Sequence, residues 1–196
     1  MGTTPRKRCS PKRDNAQAAC VRLRPAICIL VLTGACLSAD PALRAQPAKS
    51  AACSAPEYHD FDFWLGDWDA FDVDNPAKRI ARNRVSRILD GCVLLEDYRP
   101  TSGSRGESFT IYDASRKRWH QTWVTSAGKL LIIEGTKTNG AIVLTGVDRA
   151  AEGKERQVRG VWKPVSDGVR ETATTSTDGG QTWQPWFDIV FRPYKP

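Results

Sequence analysis

The first 57 residues of this 196-residue chain contain no Trp, Phe or Tyr. All seven Trp, six Phe and four Tyr residues lie between Tyr58 and Tyr194. Because aromatic side chains supply much of the apolar surface that a core buries, we expect only the later part of the chain to fold into one. The predicted organisation is a leader over 1–45, a short linker over 46–57 and a single domain over 58–196.

Other features that are scarce narrow the function. No apolar run reaches the ~20 residues of a membrane-spanning helix, so no integral membrane span is expected. The chain has two His and no Cys pair separated by two residues, so neither a metal site nor a cofactor is predicted. Residues 1–45 hold eight of the 29 basic and two of the 22 acidic residues, so most of the +7 net charge lies in the leader. A nucleic-acid partner is therefore not expected.

The leader has the layout of a secretory signal peptide. Seven basic residues up to Arg24 precede an apolar run over 26–32, and small residues follow that run. Cleavage after Ala45 is the first expectation and cleavage after Ala39 the alternative, and the start codon could lie downstream of Met1. The residues before Cys36 also resemble a bacterial lipoprotein signal shifted by one position, so lipidation of Cys36 is a second alternative. The layout predicts a periplasmic or secreted protein.

Only two of the six cysteines, Cys53 and Cys92, would remain after cleavage at Ala45. Two cysteines in an oxidising compartment most simply pair with each other. Two buried free thiols are the alternative. The sequence therefore predicts a Cys53–Cys92 disulfide that closes a loop of roughly 40 residues.

The domain reads as ten short stretches of alternating apolar and polar residues, separated by Gly, Asn, Asp and Ser. Short turns between successive strands favour antiparallel neighbours, and closing the sheet removes its exposed edges. The predicted fold class is all-β, an antiparallel up-and-down barrel of about ten strands. A basic amphipathic helix over 77–89 is an alternative for the second strand. The predicted strands cover 67–74, 79–89, 92–99, 107–112, 118–125, 129–136, 141–147, 156–163, 169–177 and 182–191.

In several strands, polar and apolar residues occupy alternate positions whose side chains point to the same face of the sheet. If these sets point inward, the barrel is hollow and its lumen has polar contacts for a ligand. The alternative is that these sets face solvent and the opposite parity forms a solid core. The candidate ligand-binding residues are Glu96, Tyr98, Trp119, Gln121, Trp123 and Glu134.

Two short signals resemble the calycins, the lipocalin-like barrels. Gly66-Asp67-Trp68 opens the first strand, and Arg192 ends the last. The resemblance implies that Trp68 plugs one end of the barrel and that Arg192 stacks on it as a cation–π lid. We expect no helix after the last predicted strand, which departs from the lipocalin pattern.

A longer series of motifs resembles a DUF1579-type bacterial domain. Phe61-Asp62-Phe63-Trp64-Leu65-Gly66-Asp67-Trp68 is followed in order by Leu89-Asp90-Gly91-Cys92, Tyr112-Asp113, Trp119, Trp123-Val124 and Glu134-Gly135-Thr136. The resemblance spans about 61–146. It implies a β fold and adds no chemistry, because no function is established for such domains.

Residues 176–183 fit the pattern Ser-x-Asp-x-Gly-x-x-Trp, which resembles the Asp-box hairpin of sialidases and other propellers. A single copy builds neither a propeller nor an active site. We expect Asp178 to hold a turn through backbone N–H groups and Trp183 to pack beneath it.

Three functions remain open. The first is a carrier that binds a small apolar or amphipathic molecule in the lumen. The second is a cell-envelope interaction module that uses exposed aromatics such as Trp162 and Trp186 on a filled barrel. The third is an enzyme with His120 beside a carboxylate in the pocket, although no catalytic residue set is predicted.

Overall fold

A computed structural model describes residues 52–149 and 153–196. Ten antiparallel strands hydrogen-bond in chain order, and β1 pairs with β10 to close the barrel. All ten predicted strands and the closed up-and-down topology are confirmed. The strands are β1 (Gly66–Asp72), β2 (Asn75–Ile88), β3 (Val93–Pro100), β4 (Gly106–Asp113), β5 (Arg118–Thr125), β6 (Leu130–Thr138), β7 (Ala141–Arg149), β8 (Glu155–Val165), β9 (Gly168–Ser176) and β10 (Gln184–Pro193).

The helix considered for 77–89 is wrong, because this stretch belongs to the long strand β2. Ala81, Asn83 and Val85 are buried at a period of two, which is the side-chain period of a strand. Pairing with β1 on one side and β3 on the other satisfies its backbone. Arg82 and Arg84 alternate with these positions and lie on the outer face.

The chain before β1 closes one end of the barrel. It forms two short 3₁₀ turns, Pro56–His59 and Asp62–Trp64, and buries Phe61 and Trp64 completely. The Phe61 ring stacks on Trp64 with centroids 5.1 Å apart and meets Trp119 edge-on at 5.6 Å. The apolar core therefore sits at this end, which we call the closed end.

Polar contacts hold the same segment from outside. Arg87, at the end of β2, donates to the carbonyl oxygens of Tyr58 and Gly91 and to the carboxylate of Asp62. Lys137 at the end of β6 donates to Asp60 at 2.7 Å. The predicted disulfide is confirmed: Cys53 bonds to Cys92 in the β2–β3 connection and ties the segment to the barrel.

The expectation that Arg192 stacks on Trp68 is wrong. Trp68 is buried inside the barrel, where its indole N–H donates to the Trp64 carbonyl at 3.0 Å. Arg192 follows the buried Phe191 and therefore points to the outer face of β10. Its guanidinium carbon lies 5.0 Å from the centroid of Phe71, and its Nε donates to Asp167 at 3.0 Å. The Gly-x-Trp feature has a local reason, since a Cβ on Gly66 would lie 3.0 Å from the Trp68 ring.

The turn between β9 and β10 has the expected aspartate-centred geometry. Asp178 accepts hydrogen bonds from the backbone N–H groups of Gln181 and Thr182, both at 3.0 Å, and from the Ser176 hydroxyl at 2.6 Å. Trp183 donates to the Gly180 carbonyl at 3.0 Å. The Arg159 guanidinium carbon lies 3.9 Å from the Trp183 ring centroid. These contacts order the loop beside the open end of the barrel.

In the described part of the chain, no helix has the length and apolar character to cross a bilayer. The signal peptide, the cleavage sites and Cys36 lie outside the described residues.

Candidate ligand cavity inside the barrel

The end of the barrel opposite the closed end holds a cavity of about 290 Å³. The barrel is therefore hollow there and packed with aromatic side chains at the closed end. The floor of the cavity includes Trp162, whose ring centroid lies 5.7 Å from that of Phe61 at the closed end. The cavity is lined by Glu96, Tyr98, Gln121, Trp123, Leu131, Ile133, Val158, Gly160, Trp162, Glu171, Ala173, Trp186, Phe187 and Ile189.

Four of the six predicted ligand-binding residues line this cavity: Glu96, Tyr98, Gln121 and Trp123. Trp119 shares their inward parity but is 2% exposed and packs against Phe61 in the core at the closed end. The side chains on β3 and β5 that were predicted from the alternation pattern to point inward therefore do so. The contribution of these residues to binding stays a prediction.

The inward orientation expected of Glu134 is wrong. On β6 it is Leu131 and Ile133 that line the cavity, so Glu134 lies on the outer face. Its partner across β5 is His120, which is also outside. Both parities of β6 are apolar, so composition did not distinguish them. The register with β5 decides the face, because Leu131 pairs with the inward Trp123 and Ile133 pairs with the inward Gln121.

On the outer face, His120 bridges two polar partners. Its Nδ1 lies 2.8 Å from Glu134 Oε1 and its Nε2 lies 2.9 Å from the Thr122 hydroxyl. Arg116, and then His120, lower the pKa of Glu134 to about 2. The order hydroxyl, imidazole, carboxylate is that of a nucleophilic triad. None of the three lines the cavity, however, so His120 does not lie in the pocket where the enzyme hypothesis expected it.

Glu96 is the more enclosed of two carboxyl groups in the cavity. It is 5% exposed and accepts a hydrogen bond at 2.8 Å from Ser108, the residue that faces it on the neighbouring strand β4. Burial raises the pKa of Glu96 to about 7, against smaller lowering effects of Ser108 and Asn83. The buried Asn83 amide is the second polar group that acts on this carboxyl as a hydrogen-bond partner, and like Ser108 it lowers the pKa. Glu96 therefore exchanges its proton close to neutral pH.

Glu171 on β9 is the second carboxyl group, and the sequence interpretation missed it. It lies between the inward residues Val169 and Ala173 and is partly exposed to the cavity. Burial, and then the negative charge of Glu96, raise its pKa well above the usual value. The parity Val169, Glu171, Ala173 is the same mixed pattern that singled out Glu96, so the signal was present in the sequence.

Aromatic rings form much of the remaining wall. The rings of Tyr98 and Trp123 meet edge-on with centroids 6.0 Å apart. Trp123 lies across Gly106, where any Cβ would come within 2.0 Å of its ring. Burial, together with Glu171 and Glu96, raises the pKa of Tyr98 to about 12, so its hydroxyl stays protonated at neutral pH. The wall therefore offers aromatic faces beside carboxyl and hydroxyl groups.

A β-bulge adds two aromatic residues at the open end. The register between β10 and β9 shifts between Pro185 and Phe187, which lets the adjacent Trp186 and Phe187 both line the cavity. Trp186 is 39% exposed, and the Arg156 guanidinium carbon lies 4.3 Å from its ring centroid. Arg156 is held in turn by Asp148 at 2.8 Å. Trp186 is thus exposed, as the sequence predicted, and it also lines the cavity, a position that depends on the bulge.

Two polar groups on the cavity wall bear on what it can hold. Gln121 donates to the Thr110 hydroxyl at 3.0 Å and is thereby fixed in place. The indole nitrogen of Trp162 is buried beside its cross-strand neighbour Glu171, and its N–H acts as a donor that lowers the pKa of that carboxyl. Among the described residues, no group of His, Cys, Asp and Glu could hold a metal ion.

Comparison with models of known protein families gave no match to this chain, and comparison with curated proteins gave no similar sequence. The DUF1579-type and lipocalin-like resemblances therefore stay predictions, and the site is interpreted from its geometry alone.

Proposed function

We propose that this protein binds a small amphipathic molecule inside its barrel. The single observation that carries the proposal is the cavity of about 290 Å³, walled by aromatic side chains and furnished with a few polar groups. That combination is typical of small-molecule sites, in which apolar contacts supply affinity and polar groups set orientation. The volume corresponds to the space of about ten water molecules, which suits a ligand of one or two rings.

The proposed setting is the periplasm or the outside of the cell. The basic, apolar and small segments of the leader support export, and the Cys53–Cys92 disulfide is the kind of bond that persists in an oxidising compartment. Native mass spectrometry of the protein exported by a bacterial host tests this proposal. The mature mass would report cleavage and lipidation, and any mass lost on denaturation would report a bound molecule. Recovery of the full-length chain with a reduced Cys53 would contradict export.

A cavity-filling variant tests the binding function directly. Ala173 lines the cavity and is buried, so Ala173→Leu adds three carbon atoms to the space that a ligand needs. We expect the wild-type protein to bind 1-naphthalenemethanol in isothermal titration calorimetry and Ala173→Leu to lose that binding while staying folded. Val143→Leu on the outer face of β7 is the matched control. Equal affinity of all three proteins would show that the probe binds elsewhere.

A surface of exposed apolar side chains supports a second candidate function, association with another protein. Strands β4 to β7 place Phe109, Val124, Leu130, Ile132 and Val147 on the outer face, and register pairs Phe109, Thr122 and Ile132 in one row. Contiguous exposed apolar surface commonly marks an interaction site. This differs from the interaction module expected from sequence, because Trp162 is inside the barrel and the barrel is not filled.

Sedimentation velocity over a range of protein concentrations tests the self-association form of this candidate. We expect the wild-type protein to sediment faster as concentration rises and Ile132→Lys to sediment as a monomer throughout. A wild-type protein that stays monomeric at high concentration would rule out self-association through this surface.

A further inference from the structure

The two carboxyl groups in the cavity have no positive partner in the described chain. Neither Glu96 nor Glu171 takes part in an ion pair with a described residue. On the outer face, by contrast, Glu134 and Asp188 each pair with an arginine, and the buried Asp148 on the inward parity of β7 pairs with Arg156. Among the described residues that line the cavity, none is Lys, Arg or His.

Burying a carboxyl group without a counter-ion lowers the stability of the folded protein. A neutral side chain at the same position would not have this cost. Here two such groups, on strands that are not neighbours in the barrel, share one small cavity. Glu96 has the Ser108 hydroxyl as a donor at 2.8 Å, whereas the donor beside Glu171 is the indole N–H of Trp162 on the neighbouring strand. Glu171 is also the more open of the two toward the cavity. The arrangement leaves Glu171 as the acceptor most accessible to a ligand.

The aromatic wall complements the same kind of ligand. Trp123, Trp162, Trp186 and Tyr98 present rings to the space that the two carboxyl groups enclose. Aromatic faces attract cations through their quadrupole, and this attraction strengthens when the cation is removed from water. An apolar body can stack on the same rings. An anion, in contrast, would meet two carboxyl groups and no basic lining residue.

From these observations we propose that the ligand is a small organic cation, an aromatic or aliphatic amine whose ammonium group binds between Glu171 and Glu96. This inference rests on the proposed binding function and specifies its chemistry. Glu171 is the primary counter-ion, and Glu96, held by Ser108, is the second. The ring or chain of the amine lies against Trp123 and Trp162 toward the open end.

The protonation behaviour of the cavity adds a measurable signature. Glu96, Glu171 and Tyr98 are the titratable groups in the described lining, and the strands beside the two carboxyl groups present Ser108, Asn83, Trp162 and Ile189. Asp97, on the outer face, also raises the pKa of Glu96 through its negative charge, by less than burial does. The raised pKa of both glutamic acids means that the empty cavity holds protons at neutral pH. A bound ammonium group favours the carboxylate form, so binding should release protons.

Three isosteric probes test the inference by calorimetry: 1-naphthylmethylamine, 1-naphthalenemethanol and 1-naphthoate. At about pH 8 we expect the amine to bind at least about tenfold more tightly than the alcohol and the acid to bind most weakly. The advantage of the amine should increase between about pH 5 and pH 8, and titrations in buffers of different ionisation enthalpy should show proton release. The affinity for the alcohol should change little with pH.

Substitutions identify the groups responsible. Glu171→Gln should remove the advantage of the amine over the alcohol, and Glu96→Gln should reduce it by a smaller factor. Both variants remove a costly buried acid, so we expect them to fold. Glu134→Gln, which changes a carboxylate on the outer face, is the matched control and should bind all three probes as the wild type does.

The outcomes separate the two levels of the proposal. Binding of the alcohol with equal or higher affinity than the amine, or an amine advantage that survives in Glu171→Gln, would overturn the cationic ligand and retain the binding cavity. Tightest binding of 1-naphthoate would also overturn it, because the protonated carboxyl groups would then be serving as donors. Failure of all three probes to bind would overturn the proposed function itself.

Discussion

Glu171 of β9 and Glu96 of β3 place their carboxyl groups in one cavity, where the negative charge of Glu96 helps to raise the pKa of Glu171, although their strands are not paired. Chain order does not bring them together, since 74 residues separate them. Closure of the sheet does, because it turns every inward side chain of the open end toward a common space. The pairing of these two carboxyl groups in one cavity therefore depends on the closure of the sheet.

The first prediction concerns the dependence of stability on pH. Folding raises the pKa of Glu96 from 4.5 to about 7, so the folded state binds more protons than the unfolded state between these values. The contribution of Glu96 to stability is complete below about pH 4.5 and is lost as pH rises through about 7. We expect Glu96→Gln to be more stable than the wild type at about pH 8, by up to about 3 kcal/mol, with the difference vanishing near pH 4. Urea unfolding at both pH values measures this.

Glu134 provides a control of opposite sign. Its pKa is lowered to about 2 by Arg116 and His120, so its contribution is present above about pH 4.5 and is lost as pH falls toward 2. Glu134→Gln should therefore lower stability at neutral pH, by less than about 1 kcal/mol because the ion pair is partly exposed. If Glu96→Gln also lowered the stability at pH 8, as Glu134→Gln is expected to do, the raised pKa of Glu96 would be refuted.

The second prediction concerns the Cys53–Cys92 disulfide. The bond closes a loop with a sequence separation of 39 and joins the segment of the closed end to the β2–β3 connection. Replacing both cysteines by serine should lower the free energy of unfolding by about 4 kcal/mol, mainly because the unfolded chain gains freedom. Urea unfolding measures the loss, and the wild type under reducing conditions should match the variant. Equal midpoints for the oxidised wild type and the variant would contradict a stabilising role.

The third prediction concerns Arg87. Its side chain is 21% exposed and holds the Tyr58 and Gly91 carbonyl oxygens together with Asp62. Arg87→Ala would leave these acceptors without their donor and should cost about 1–3 kcal/mol. Arg84→Ala is the matched control on the same strand: Arg84 is 70% exposed and lies 3.7 Å from Asp67, so its loss should cost less than about 0.5 kcal/mol. Similar thermal unfolding of the two variants would argue against Arg87 as the link between β2 and the closed end.

The fourth prediction concerns the loop after β9. Hydrogen bonds from Ser176, Thr182 and Gln181 lower the pKa of Asp178, so the turn is held by a carboxylate. Asp178→Ala should speed amide hydrogen exchange at Gln181 and Thr182 and leave the strand amides of β9 protected. In the wild type, the same amides should lose protection when acid protonates Asp178. Unchanged exchange at Gln181 and Thr182 in the variant would show that the turn holds without Asp178.

Much of the fold could be predicted because its signals are local. Alternation at a period of two and turn residues such as Asn139-Gly140, both with positive φ, mark strands and hairpins without knowledge of distant partners. The Asp178 turn is local in the same sense, since its partners lie within four residues. The disulfide could be predicted because the expected cleavage after Ala45 would leave a single pair of cysteines.

The candidate site could be predicted only in part. The alternation of polar and apolar residues predicted that Glu96 and Gln121 point inward. Both side chains are buried in the structure. Glu134 was misplaced because β6 is apolar on both parities, and only its pairing with β5 selects a face. The inward faces of Trp162 and Trp186 depend on register and on a bulge, which the strand pattern does not contain.

The sequence by itself determined the number of strands, their antiparallel order, the cysteine pair and the aspartate-centred turn, because each depends on residues near in the chain or on simple counting. Tertiary structure decided which face of each strand lines the interior, that Phe61 and Trp64 fill one end, and that Glu171 joins Glu96 at the other. These features depend on hydrogen-bond register around a closed sheet, where a shift of one residue exchanges the inner and outer faces of a strand.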